Sequence, residues 1–73
     1  MYTGYWIVNN RIYGPRTQGQ YWIDRGWIYG PQNSGKYWIE AGRIHGPKQN
    51  RDYWVEDGYI YGPTAQLPFM SRD

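Results

Sequence analysis

The chain contains no cysteine and one histidine, His45. Disulfide staples and thiolate metal sites are excluded, and one imidazole cannot supply a zinc site of the usual ligand types. We therefore expect no metal and no cofactor. With 73 residues the chain is one domain, spanning 1–73, of a size at which staples or partner chains are often needed. Stability has to come from packing, backbone pairing or self-association.

A long apolar run is also missing. The start, "MYTGYWIVNN", has neither a basic region nor an uninterrupted hydrophobic stretch, so it reads as neither signal peptide nor membrane span. No membrane partner is expected, and a soluble cytoplasmic protein is. Charge is sparse and mixed: eight basic and six acidic side chains give a net +2. That is far from the concentrated basic footprint of a nucleic-acid binder.

Aromatic residues are abundant, with five tryptophans, nine tyrosines and one phenylalanine, beside ten glycines and five prolines. Disordered chains are aromatic-poor, so this composition argues for order. The aromatics recur at a period of sixteen: "YWIVNNRIYGPRTQGQ" (5–20), "YWIDRGWIYGPQNSGK" (21–36), "YWIEAGRIHGPKQNRD" (37–52) and "YWVEDGYIYGPTAQLP" (53–68). A partial fifth copy, residues 69–73, begins "FMS" where "YWI" would come. The repeat is the unit of folding, and single positions read as rows of four.

Each unit predicts a β-hairpin. An apolar segment leads to a two-residue turn at Asn9-Asn10, Arg25-Gly26, Ala41-Gly42 or Asp57-Gly58, pairs whose second member accepts a positive φ. The Gly-Pro in every copy removes helical periodicity, and β-branched and aromatic enrichment favours strands. Pro15, Pro31, Pro47 and Pro63 should end strands and send "RTQGQ", "QNSGK", "KQNRD" and "TAQLP" outward as loops. The fold class is all-β: four tandem hairpins around a pseudo-fourfold axis, with a fifth partial strand at the C-terminus.

A simple hairpin register places Tyr5, Ile7 and Ile12 on one face with their equivalents in the other copies. The opposite face carries Trp6 with Tyr13, Trp22 with Tyr29, Trp38 with His45, and Trp54 with Tyr61. Nearer the turns it has Val8 by Arg11, Asp24 by Trp27, Glu40 by Arg43 and Glu56 by Tyr59. A flat sheet would leave four tryptophans in water. Two arrangements avoid this: hairpins around a common axis with one face inward, or an open sheet covered by another copy of the chain.

The succession Tyr53, Trp54, Val55, Glu56, Asp57, Gly58, Tyr59, Ile60, Tyr61, Gly62, with its equivalents over residues 5–68, resembles the uncharacterised bacterial repeat proteins called four-fold beta-flower proteins. The resemblance implies a small all-β domain with hairpins about a pseudo-fourfold axis and implies no activity. The proline after each "IYG" or "IHG" and the extra start at Phe69-Met70 depart from that pattern. The tail "LPFMSRD" is accordingly also a candidate to plug an end, cover an edge or pair with a second subunit.

Catalysis needs a nucleophile with a base, paired carboxylates or a metal. Ser34 and Ser71 lack a local base pattern, and His45 stands where other copies have tyrosine, as a substituted aromatic would. Asp24, Glu40 and Glu56 occupy equivalent positions and could cluster on a ring, but beside a turn they more simply form solvated strand ends. No nucleotide-binding loop is present. We expect a non-enzyme.

The candidate surface is Trp6, Trp22, Trp38 and Trp54, with Trp27, Tyr13, Tyr29, His45 and Tyr61. It suits a protein partner or the chain's own copy, with a possible homodimer. A glycan stacking on the rings is the alternative. Single-stranded nucleic acid ranks below both, because acids intervene among Arg11, Arg16, Arg25, Arg43, Arg51, Lys36 and Lys48. The plainer alternative makes the same row architectural.

Overall fold

The computed structural model describes residues 1–47 and 52–70. Its strands are β1 (Tyr2–Val8), β2 (Arg11–Gly14), β3 (Thr17–Asp24), β4 (Trp27–Tyr29), β5 (Tyr37–Glu40), β6 (Arg43–His45), β7 (Tyr53–Glu56) and β8 (Tyr59–Tyr61). Each pairs antiparallel with the next, and β8 returns to β1, so the sheet is a closed eight-stranded barrel. The open-sheet arrangement is thereby excluded, and no strand edge remains along the ladder.

The turns set the hairpins. Both central residues have positive φ in every one: 51° and 64° at Asn9-Asn10, 56° and 87° at Arg25-Gly26, 54° and 77° at Ala41-Gly42, and 54° and 83° at Asp57-Gly58. That is the type I′ conformation, whose twist matches that of the flanking strands. The registers follow, with Val8 opposite Arg11, Asp24 opposite Trp27, Glu40 opposite Arg43 and Glu56 opposite Tyr59.

Turn backbone also joins one hairpin to the next. The N–H groups of Ile23, Ile39 and Val55 donate to the carbonyls of Asn10, Gly26 and Gly42, and Ile7 N–H donates to Gly58, each at 2.7 Å. At the same junctions Ile12 faces Tyr21, Ile28 faces Tyr37, Ile44 faces Tyr53 and Ile60 faces Tyr5. The last bond in each series closes the barrel.

Strand alternation sends the Tyr/Ile face inward. Tyr5, Tyr21, Tyr37, Tyr53, Ile12, Ile28, Ile44 and Ile60 are buried, and Ile7, Ile23, Ile39 and Val55 pack half-buried against them. Burial of each such isoleucine contributes about 1.5–3 kcal/mol. The four tyrosine rings lie across the glycines Gly14, Gly30, Gly46 and Gly62, where a Cβ would overlap the ring. These glycines therefore make room for the core as well as ending strands.

Two expectations are corrected. Residues 16–20 do not form an outward loop, because Thr17–Asp24 is one strand that pairs back on β2 through a bulge, Gly14 opposite Thr17 and Tyr13 opposite Gln18. Residues 32–36 and 64–66 are turns and bends as expected, whereas most of "KQNRD", 48–51, lies outside the described residues. The partial fifth strand is not a strand either. Pro68–Met70 is a 3-10 turn, since a closed barrel offers no free ladder to a ninth strand; residues 71–73 lie outside the described residues.

The tail instead plugs the barrel. Leu67, Pro68 and Phe69 are buried, Phe69 completely, with its ring edge-on to Tyr21 at 5.4 Å and to Tyr37 at 6.3 Å. The Asn33 amide donates to the Phe69 carbonyl at 2.9 Å, and the Tyr53 hydroxyl donates to Gln66 at 2.9 Å. Residues 1–4, outside the sixteen-residue period, complete the β8–β1 seam. Met1 and Gly62 exchange two hydrogen bonds, and the buried Thr3 hydroxyl donates to the Ile60 carbonyl at 2.7 Å.

Candidate functional site

The expected surface residues all lie on the outer face, as a belt around the barrel. Each pair opposed within a hairpin stacks: Trp6 on Tyr13 at 6.3 Å, Trp22 on Tyr29 at 6.0 Å, Trp38 on His45 at 5.6 Å and Trp54 on Tyr61 at 5.8 Å. Their ring planes are 11° to 24° apart. His45 thus fills a place in the aromatic row.

Neighbouring hairpins supply the other flank. Arg11 lies over Trp22 at 5.9 Å, Arg43 over Trp54 at 5.8 Å, and Trp27 beside Trp38 at 5.1 Å. Tyr59 stands opposite Trp6 in the ladder. Because each tryptophan strand lies between the two strands that supply these groups, side chains flank the indoles on both sides.

Exposure is uneven. Trp6, Trp22 and Trp27 are 39%, 41% and 41% exposed, whereas Trp38 and Trp54 are half-buried. The Trp38 indole N–H donates to a Glu40 carboxylate oxygen at 3.3 Å. Arg11 is held by the Gly19 carbonyl at 2.7 Å.

Tyr2 extends the belt at the seam and was not legible as part of it, since it precedes the first repeat. Its ring meets Tyr59 edge-on at 5.6 Å and Tyr61 at 5.7 Å. With Trp6 and the exposed Val8 and Tyr59, it makes an uncharged patch across β8 and β1. The pairing of Tyr2 with Tyr61 after a register shift is the backbone feature that puts it there.

The residues considered for catalysis are dispersed. Asp24, Glu40 and Glu56 end β3, β5 and β7 on separate hairpins and are exposed. Ser34 Oγ accepts from Gly30 N–H at 3.3 Å, and Ser71 lies outside the described residues. No group of three or more metal-ligating side chains occurs among the described residues. No helix there is long and apolar enough to cross a membrane.

The fold and belt define a class: a closed eight-stranded antiparallel barrel, plugged at one end and girdled by aromatic side chains. No protein-family model, curated protein or solved structure matches the chain.

Proposed function

We propose that the chain is a non-catalytic interaction module that associates with a second copy of itself through the aromatic patch at the β8–β1 seam. One observation carries the reading. Tyr2, Trp6, Val8 and Tyr59 are 42%, 39%, 47% and 48% exposed, although the barrel interior is already filled by other apolar side chains. Contiguous exposed apolar surface marks interaction sites. This patch has no charge of its own, so it is complementary to itself, and its rings can meet edge-to-face.

In this reading the scaffold is four hairpins, 5–20, 21–36, 37–52 and 53–68, about a pseudo-fourfold axis, in the manner of the beta-flower repeat proteins. The recurrence of Tyr-to-Ile register and turn-carbonyl bonds sixteen residues apart supports it. The module works as a cytoplasmic homodimer.

Glycan binding through the same belt ranks second. Sugar and base stacking need an open ring face, and flanking side chains occupy the sides of Trp22, Trp38 and Trp54. Single-stranded nucleic acid ranks lower still, with Arg11 already bonded to Gly19. Sedimentation velocity from micromolar to millimolar protein tests the proposal. A monomer–dimer equilibrium should weaken in Tyr59→Ser, an exposed change that spares the core, and an unchanged equilibrium in that variant would refute the seam assignment.

A further inference from the structure

The plugged end is not filled evenly. A cleft of about 460 Å³ is lined there by Tyr5, Pro15, Arg16, Ala65, Gln66, Leu67 and Met70. Its volume lies within the roughly 300–1,000 Å³ of small-molecule sites. Tyr5 is 3% exposed, yet among the described residues its hydroxyl has no hydrogen-bond partner. A ligand acceptor in the cleft would supply that hydroxyl with a partner.

Two of the sister tyrosines, Tyr21 and Tyr53, have partners. Tyr21 receives a hydrogen bond from the backbone of Gln32, and the Tyr53 hydroxyl lies 2.8 Å from Thr64 Oγ1 and donates to Gln66. Gln32 and Thr64 each lie eleven residues beyond their tyrosine. The position eleven beyond Tyr5 is Arg16, but there the chain runs directly into β3 and does not cap the ring. The same departure from the repeat leaves both Tyr5 and Arg16 on the cleft wall.

We propose that this cleft binds a small monocarboxylate with an apolar body. Tyr5, Pro15, Leu67 and Met70 line the cleft with apolar surface. Arg16 is the one charged group among the lining residues, and a guanidinium matches a carboxylate in bidentate geometry. The Tyr5 hydroxyl then donates to the same anion.

Octanoate and phenylacetate, each beside its neutral amide, are the probes, titrated into the whole chain and followed by backbone amide NMR. The acids should shift the Tyr5, Arg16 and Leu67 resonances and bind about tenfold more tightly than the amides, as expected for a charge-assisted contact. Whichever acid binds more tightly identifies an aliphatic or an aromatic body. Arg16→Gln, at an exposed position, should erase the acid's advantage, and Tyr5→Phe should weaken binding without unfolding the barrel. Resonances unmoved by either acid, amides binding as well as acids, or an Arg16→Gln protein that keeps the preference would each overturn the proposal.

Discussion

Gly62 lies directly under the ring of Tyr53, nine residues before it, and a Cβ at Gly62 would overlap that ring. The ring covers what a side chain would otherwise fill, which is how glycine becomes compatible with a packed strand. Gly62→Ala should therefore cost about 1–3 kcal/mol through overpacking, although alanine suits most strands no worse than glycine. Urea denaturation gives the value. Tyr53→Leu in the same chain should recover part of the loss, because the clash is with the ring.

Turn strain is separable from packing. Ala41 holds φ at 54°, a region in which alanine is unfavourable and asparagine is tolerated. Ala41→Asn should stabilise the barrel by about 0.5–1 kcal/mol. Gly58→Val should destabilise it by about 1–3 kcal/mol, since Gly58 has φ of 83°. Thermal unfolding of the two variants should give melting temperatures displaced in opposite directions.

Tyr5 and Tyr53 occupy equivalent positions but should respond differently to loss of the hydroxyl. Tyr53→Phe removes the hydrogen bond to Gln66 and should cost about 0.5–1.5 kcal/mol. Tyr5→Phe removes a hydroxyl on the cleft wall with no hydrogen-bond partner among the described residues and should leave ligand-free stability nearly unchanged. Equal losses in the two variants would contradict the unequal filling of the barrel end.

Alkali should weaken the fold through two core phenols. Burial pushes Tyr21 above its ordinary 10.0, helped by Tyr5 and partly offset by the hydrogen bond from the Gln32 backbone, and burial also raises Tyr37. Below pH 10 both folded and unfolded chains keep these protons, so the contribution is fully present. As pH rises through 10 and toward the folded values, the unfolded chain releases them first and stability falls. Urea midpoints measured from neutral pH to above 10 should decline only at the alkaline end.

The plug carries packing energy of its own. Phe69 is fully buried against Tyr21 and Tyr37, so Phe69→Ala should cost about 3–5 kcal/mol. Phe69→Leu should retain much of that. Full stability of the alanine variant by chemical denaturation would show that the tail merely rests on the barrel.

The hairpins were legible because their signals are local. Turn pairs such as Asp57-Gly58, with alternation on either side, determine both register and face, and the Tyr5-Ile12 row is the buried one in the structure. Closure was not legible, because it depends on Ile60 meeting Tyr5 across the whole chain. Period alone makes Phe69 the start of a further strand, since its place resembles Tyr53, but no open ladder awaits it, and the plugging alternative is the one the structure has. Thr17 joins a strand despite Pro15 because Pro15-Arg16 is itself the two-residue turn between the paired Gly14 and Thr17. The outer pairs Trp6-Tyr13 through Trp54-Tyr61 followed from register alone, while Tyr2 joined them through a bulge that leaves no periodic trace.

Heteronuclear NMR of the tryptophan indole N–H groups over a dilution series tests the self-association reading most directly. Trp6, beside Tyr2 and Tyr59 at the seam, should shift and gain protection from solvent exchange as the protein is concentrated, while half-buried Trp38 and Trp54 stay constant. A chain that remains monomeric, with the Trp6 indole unchanged at every concentration, would contradict it.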